Sequence, residues 1–320
     1  MAVYTTVSEN DIARLKALYA LQGKVVLKPI AEGVENSNYL LLNGEEKFIL
    51  TLYEQRVSKA DLPFFLGLLK HLSARGVPCP VPIVAIGNGE VIQEVADRPA
   101  SMVSFLEGAS VKRIAPWHCA ELGRNLAQMH IAAAGYGLSR ENNLSYKGWV
   151  QLWQNCREKA GREWPQIPDV VDAAFARLEK EWPRDLPKAV IHADLFPDNV
   201  FFDDQKLTGL IDFYFACVDM VAYDLAICLN AWCFETNREF NITRSQRLLE
   251  AYGEIRPLSE AEKQAFPILC LGASLRFLLT RMTDWLNPKP GALVTPKDPL
   301  EYFEKLKFHS NAKDFRDYGI

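Results

Sequence analysis

The chain has no Cys-x-x-Cys pair, and its seven cysteines are odd in number, so they cannot all pair with one another. A disulfide framework or a zinc site is therefore disfavoured, and reduced thiols in a cytosolic setting are expected. An excess of positive charge is also missing: 36 Lys and Arg stand against 40 Asp and Glu, giving a net charge of -4 and a pI near 5.8. Without a basic footprint, nucleic acid is not an expected partner. The start, Met1 to Asp11, shows no basic region followed by an apolar one, and no unbroken apolar run reaches the length of a bilayer span. The expectation is a soluble, cytoplasmic protein with no membrane partner. Internal repeats and low-complexity runs are absent too; only 287–299 is proline-rich, and it reads as a surface connection before a last helix.

What is present suits a folded chain of 320 residues, 49% of them hydrophobic, which can bury a sizeable core as one two-lobed unit or two domains. Ser8 is placed to cap a helix running to about residue 19. The stretches 25–30, 38–42 and 47–53 read as strands, with Asn43-Gly44 marking a hairpin turn. Ser58 can cap a helix ended by Gly76, and 81–86, 91–95 and 101–105 read as further strands. From residue 106 the apolar period becomes helical, over 116–133, 149–159, 170–182, 221–234, 243–252 and 260–285. The fold class expected is α+β, with a small β-rich lobe over 1–105 and a larger, mainly α-helical lobe over 106–320.

One stretch carries chemistry. His192-Ala-Asp194-Leu-Phe-Pro-Asp198-Asn199 is followed, after a short hairpin, by Ile211-Asp212-Phe213. That register places a carboxylate, an amide and a second carboxylate at the spacing of phosphoryl transfer, where the first Asp takes the hydroxyl proton and the Asn and later Asp hold Mg²⁺. Such a reaction is mostly positioning and charge neutralisation, so it needs hard oxygen ligands and a carboxylate aimed at the attacking oxygen. Asp212 alone reads equally well as a turn or strand-end residue; three correctly typed positions in one register do not. Asp194 is thus the catalytic candidate, Asn199 and Asp212 the metal ligands, and Mg²⁺ with ATP the expected cofactors.

Together with Tyr223-Asp224-Leu-Ala226 and Gly123-Arg-Asn-Leu-Ala-Gln-Met-His130, the stretch resembles the aminoglycoside phosphotransferase and choline kinase superfamily. The narrower phrases Glu35-Asn36-Ser-Asn-Tyr39, Phe48-Ile-Leu-Thr51-Leu-Tyr-Glu54 and Leu62-Pro-Phe-Phe65 are similar to its type II homoserine kinase branch. The resemblance covers most of the chain and implies a protein-kinase-like two-lobed fold. It implies ATP-dependent phosphorylation of a small alcohol, homoserine first, whose product leads toward threonine. It further implies that Asp224 braces the catalytic loop through backbone N–H groups, although an ordinary helix N-cap has the same sequence appearance. His192 and His130, apolar-flanked and outside any metal-ligand pair, read as scaffolding.

Between the first two strands, the backbone of Gly33 through Ser37, with Asn36 and Ser37 as further donors, is the candidate phosphate cover. Met102 to Phe105, Val103 and Phe105 in particular, offer backbone hydrogen bonds to adenine. At the third strand the related kinases carry Lys or Arg, whereas here Thr51 stands; Lys47 and Arg56 flank it but read as solvated strand-end residues. That gap raises the alternative of a nucleotide-binding regulator without transfer activity. Arg276 and Arg281 interrupt an apolar helix and suit a substrate carboxylate, whose two oxygens a guanidinium binds at once. Choline would instead want an aromatic cage, for which Trp232, Tyr223 and Trp285 are the available rings, and an aminoglycoside or methylthioribose remains a further alternative. The expected partner is a single small molecule, with a homodimer left open.

Overall fold

Apolar alternation and turn chemistry build the first of two compact units. The computed structural model describes residues 4–30, 36–54, 57–288 and 296–319. One unit takes residues 1–107 with 209–214, the other 108–208 with 215–320. In the first, Ser8 caps α1 (Glu9–Leu18) by accepting from the Asp11 N–H while the Asp11 carboxylate reaches back to the Ser8 N–H. Strands β1 (Val25–Pro29), β2 (Ser37–Asn43), β3 (Glu46–Leu52), β4 (Ile92–Val95) and β5 (Arg98–Ser104) make an antiparallel sheet of order β1-β2-β3-β5-β4. β2 alternates buried and half-buried positions, so Tyr39 and Leu41 join Leu15, Leu50, Leu52 and Met102 in one apolar core. Gly44, at φ +66°, opens the β2–β3 turn in a backbone conformation that a Cβ would disfavour.

The expected strand at 81–86 does not form. It makes a single bridge, Pro82 to Val103, with the Ile83 N–H on the Met102 carbonyl at 2.8 Å and the Ser104 N–H on the Val81 carbonyl at 2.9 Å. Pro80 and Pro82 have no N–H to give, so a ladder cannot propagate here. α2 (Leu62–Ser73) completes this unit with an almost wholly buried apolar face.

The second unit holds α3 (Pro116–Ala132), α4 (Tyr146–Glu163), α5 (Ile167–Glu181), β6 (Lys188–Ile191), β7 (Val200–Asp203), β8 (Lys206–Leu210), β9 (Cys217–Met220), α6 (Val221–Trp232), α7 (Ile242–Ile255), α8 (Glu260–Leu286) and α9 (Pro299–Asn311). β6 pairs antiparallel with β9 and β7 with β8, and the last residues of β8 pass into the first unit. α5 starts three residues before its apolar period shows, because Pro168 fits the first helical turn, where no N–H is required. α8 is the organiser: it packs on α4, α5, α6 and α9. Its length and composition pass for a membrane span, against the sequence expectation of none, yet 89% of its most apolar window is buried inside the protein. Gly272 lets it approach Trp182, whose ring would lie 2.3 Å from any added Cβ.

Candidate active site

The loop from His192 to Asn199 joins β6 to the β7–β8 hairpin, and almost every turn of its backbone is held by a side chain from elsewhere in the second unit. Asp224, fully buried on the first turn of α6, accepts the His192 N–H through Oδ2 and the Ala193 N–H through Oδ1, both at 2.8 Å. It does not cap its own helix; Met220 occupies that position. The same Oδ2 meets His130 Nε2 at 3.0 Å, and His130 Nδ1 meets the Tyr252 hydroxyl at 2.9 Å. Burial disfavours the Asp224 anion, but the hydrogen bonds from the His130 imidazole and the His192 amide outweigh it and hold the carboxyl below its usual range.

Three further bonds complete the frame. Arg276 Nη1 donates to the Ala193 carbonyl at 2.7 Å, Trp232 Nε1 to the Leu195 carbonyl at 2.8 Å, and Asn199 Nδ2 to the Asp194 carbonyl at 2.8 Å. Ala193 sits at φ +64°, a left-handed conformation that costs a non-glycine residue about 1–3 kcal/mol and persists only where neighbours over-determine it. Asp194 is half-buried, and its N–H points at His192 Nδ1, 3.3 Å away. The result is a carboxylate on a preorganised loop, the arrangement a proton acceptor needs if no reorganisation is to accompany transfer. With the amide nitrogen committed to the loop, Asn199 leaves Oδ1 as a hard oxygen of the kind that could hold a magnesium ion.

Asp212 belongs to the first unit, at φ +65° just past β8. There the hydroxyls of Tyr214 and Tyr53 lie 3.4 Å apart, Tyr53 and Ser101 share a hydrogen bond of 2.7 Å, and Tyr214 packs edge-on against Tyr53 and Phe65. Burial first, then Tyr53 and Asp212, push the Tyr214 phenol well up. Thr51, where a basic residue is absent, is buried and donates to Asn38 Oδ1 at 2.8 Å, so a hydroxyl–amide pair fills the strand position. Lys47 is drawn to Glu107 at 2.9 Å and lies over the Phe105 ring, and Arg56 lies outside the described residues.

The candidate phosphate cover is only partly as expected. Gly33 lies outside the described residues. Asn36 and Ser37 turn inward: Ser37 Oγ accepts the Tyr4 and Thr5 N–H groups and donates to Glu54 at 2.7 Å, while Asn36 Oδ1 accepts the Glu54 N–H. Ser37 is the first residue of β2 and falls on its core face, so its side chain locks the chain start to the sheet and is not a phosphate donor. Val103 is buried in β5, and Phe105 follows one residue past the strand end.

The two arginines of α8 separate. Arg281 is committed: Nη1 binds Glu301 at 2.6 Å and the Asp298 carbonyl at 3.1 Å, and the guanidinium stacks on Tyr302. That pairing turns the Arg281 guanidinium to groups of the chain itself, against the expectation of a substrate carboxylate. Glu301 also takes Lys305 at 2.6 Å; burial raises its pKa, but Lys305 and Arg281 outweigh this and bring it down to about 2. Arg276, only 1% exposed, has no carboxylate partner among the described residues, and its Nε is buried without a hydrogen bond. The Tyr302 hydroxyl, which feels the charges of Asp194 and both arginines, is likewise buried without a hydrogen bond. Sequence spacing gave no signal for the Trp232–Leu195, Arg276–Ala193 or Arg281–Glu301 contacts. The rings considered for a choline cage do not form one: Tyr223 and Trp232 are fully buried in core packing, and Trp285 pairs with Trp164.

The Glu301 cluster gives a pH test. A carboxylate depressed from 4.5 to about 2 contributes stability that is present above 4.5 and is lost as pH falls toward 2. Because Glu301 is 41% exposed, solvent screens part of it. Glu301→Gln should lower the unfolding free energy near neutral pH by about 1–2 kcal/mol, leaving Lys305 buried without its counter-charge, and flatten the acid limb of the stability curve. Denaturant melts across pH measure both.

A sequence model described as "Phosphotransferase enzyme family" matches residues 26–258. Among curated relatives, the homoserine kinase of Xanthobacter autotrophicus is 53% identical over 320 residues, covering 100% of this chain and 99% of that protein. The homoserine kinase of Parvibaculum lavamentivorans is 52% identical with the same coverage. Among solved structures, the amicoumacin kinase hAmiN, in complex with AMP-PNP, Ca²⁺ and Ami, matches with TM-score 0.70 at 15% identity, over 96% of this chain and 94% of that one. A choline/ethanolamine kinase family protein from Mesorhizobium loti matches with TM-score 0.60 at 17% identity, over 97% of each chain. These likenesses show the kinase-like, two-lobed α+β fold.

Proposed function

The chain belongs to the phosphotransferase enzyme family, and from that premise we propose that it is a homoserine kinase, transferring the γ-phosphoryl group of ATP to the hydroxyl of L-homoserine. The observation that carries this reading is identity above half, over the whole chain, to relatives that bear this name. The framed Asp194 loop supplies the chemistry. Asp194 orients the acceptor hydroxyl and takes its proton as the oxygen attacks γ-phosphorus in line; the bond to the β-phosphate oxygen breaks, leaving ADP and O-phospho-L-homoserine, an intermediate toward threonine. Magnesium, when bound, neutralises charge on the phosphates; Asn199 and Asp212 are the oxygen donors we assign to it. With Thr51 in the strand position, that neutralisation falls to the metal and to backbone donors, among which Gly33 remains a candidate. Val103 and Phe105 are assigned to the adenine. The substrate carboxylate is assigned to the donors of Arg276 not spent on Ala193, since Arg281 is turned to Glu301 and the Asp298 carbonyl. We place the activity in the cytoplasm, where ATP and free amino acids are available.

A coupled ADP-release screen over homoserine, choline, ethanolamine, methylthioribose and an aminoglycoside tests the assignment, because these acceptors ask for opposite pocket charges. Homoserine should be preferred by on the order of 100-fold in kcat/KM, the worth of one charge-assisted bidentate contact. Turnover of cationic acceptors alone would overturn it, and ATP binding without transfer to any acceptor would favour the regulator.

A further inference from the structure

The geometry points to Arg276 as a positioning residue for Asp194, acting through the peptide that joins Ala193 to it; this rests on the reading of Asp194 as proton acceptor. That peptide has two polar groups. Its carbonyl, on Ala193, accepts from Arg276 Nη1 at 2.7 Å, and its N–H, on Asp194, faces His192 Nδ1 at 3.3 Å. Holding both ends of one peptide fixes its plane, and the plane sets the direction in which the next Cβ, that of Asp194, leaves the backbone.

Arg276 is built for this rather than for a structural ion pair. No carboxylate neutralises it among the described residues, and its side chain is almost wholly buried. The guanidinium lies 4.6 Å from the Phe277 ring and 5.8 Å from the Phe215 ring, which hold a planar cation without consuming its N–H groups. On the opposite side of Ala193, Asp224 receives the N–H at 2.8 Å, so a residue in a left-handed conformation is gripped between an anion on its amide and a cation on its carbonyl. Releasing the cation frees the peptide to flip, and Asp194 leaves its aim.

Carboxylate capture and loop positioning make different demands on one side chain. The test compares Arg276→Met and Arg276→Lys with the unsubstituted enzyme on homoserine and on 3-aminopropan-1-ol, which is homoserine without its carboxylate. Positioning predicts that Arg276→Met lowers kcat on both acceptors by about 100-fold, the cost of a displacement near 1 Å at a reacting group, with KM for ATP unchanged; the proposed carboxylate contact adds a rise in KM for homoserine alone. Arg276→Lys, which keeps a donor for the carbonyl, should recover part of kcat, and added methylguanidinium should do so in Arg276→Ala. If 3-aminopropan-1-ol turns over at the same kcat in Arg276→Met, with only the homoserine KM raised, Arg276 binds the carboxylate and positions nothing. Should the variant merely melt earlier, with kcat per folded enzyme intact, the inference also falls. Failure of the Asp194 reading itself is separate: it shows as normal turnover in Asp194→Asn whatever Arg276 does.

Discussion

Asp194→Asn should turn over homoserine about 10²–10⁴-fold more slowly than the unsubstituted enzyme, the range by which a positioned general base accelerates proton transfer. The substitution keeps the shape of the side chain and every backbone bond around it. The Asp194 carbonyl still receives Asn199, Leu195 is still held by Trp232, and Ala193 stays between Asp224 and Arg276. What disappears is the site that accepts the proton. ATP affinity, read by calorimetry or fluorescence, should change little, because Asn199 and Asp212, the residues proposed to hold the metal, are untouched; kcat and kcat/KM should fall together. Near-normal turnover would remove Asp194 from the mechanism.

Asp224→Asn should damage the fold first and the reaction through it. One buried carboxylate accepts from two backbone amides and an imidazole. An amide there offers a single acceptor oxygen and turns an NH₂ toward groups that are themselves donors, leaving buried N–H groups unmet. The loss should be about 3–5 kcal/mol, enough to lower the melting temperature by roughly 5–10 °C and to expose the protein to proteolysis. The pH dependence follows from a carboxyl held below its ordinary value of 3.8. Its contribution is complete above that value and drains away as pH falls through the lower, folded one, so the unsubstituted protein should lose this stability in acid and the variant should show no such loss. A variant as stable as the parent would mean that the loop is held by something other than this anion.

The candidate catalytic residues could be picked out from residue order because their spacing is local: Asp194 and Asn199 lie five positions apart, and Asp212 follows one hairpin later. The helices were legible for the same reason, their apolar period being a short-range signal. The supports were not. Arg276 reaches Ala193 across 83 residues and Trp232 reaches Leu195 across 37, distances over which no periodicity speaks. Ser37 misled because its polarity suggested a ligand, whereas strand register turned it to the core. Arg281 misled because its partner, Glu301, lies beyond a proline-rich stretch on another helix. The segment 81–86 misled because its apolar residues outweigh its single proline, Pro82, although the N–H groups missing there and at Pro80 just before it decide whether a ladder forms.

α8 also bears on how the protein is made. Among the described residues it is the segment that would pass for a lipid-crossing helix, and α9, the element it packs against most extensively, leaves the ribosome after it. Until the last few dozen residues emerge, the face of this 27-residue helix that α9 covers waits for its partner, even with α4, α5 and α6 already made. Chaperone demand and loss through misrouted nascent chains should therefore concentrate in the final moments of translation, and a stop codon before Pro299 would yield an insoluble product even though the residues from His192 to Asn199 had already been synthesised.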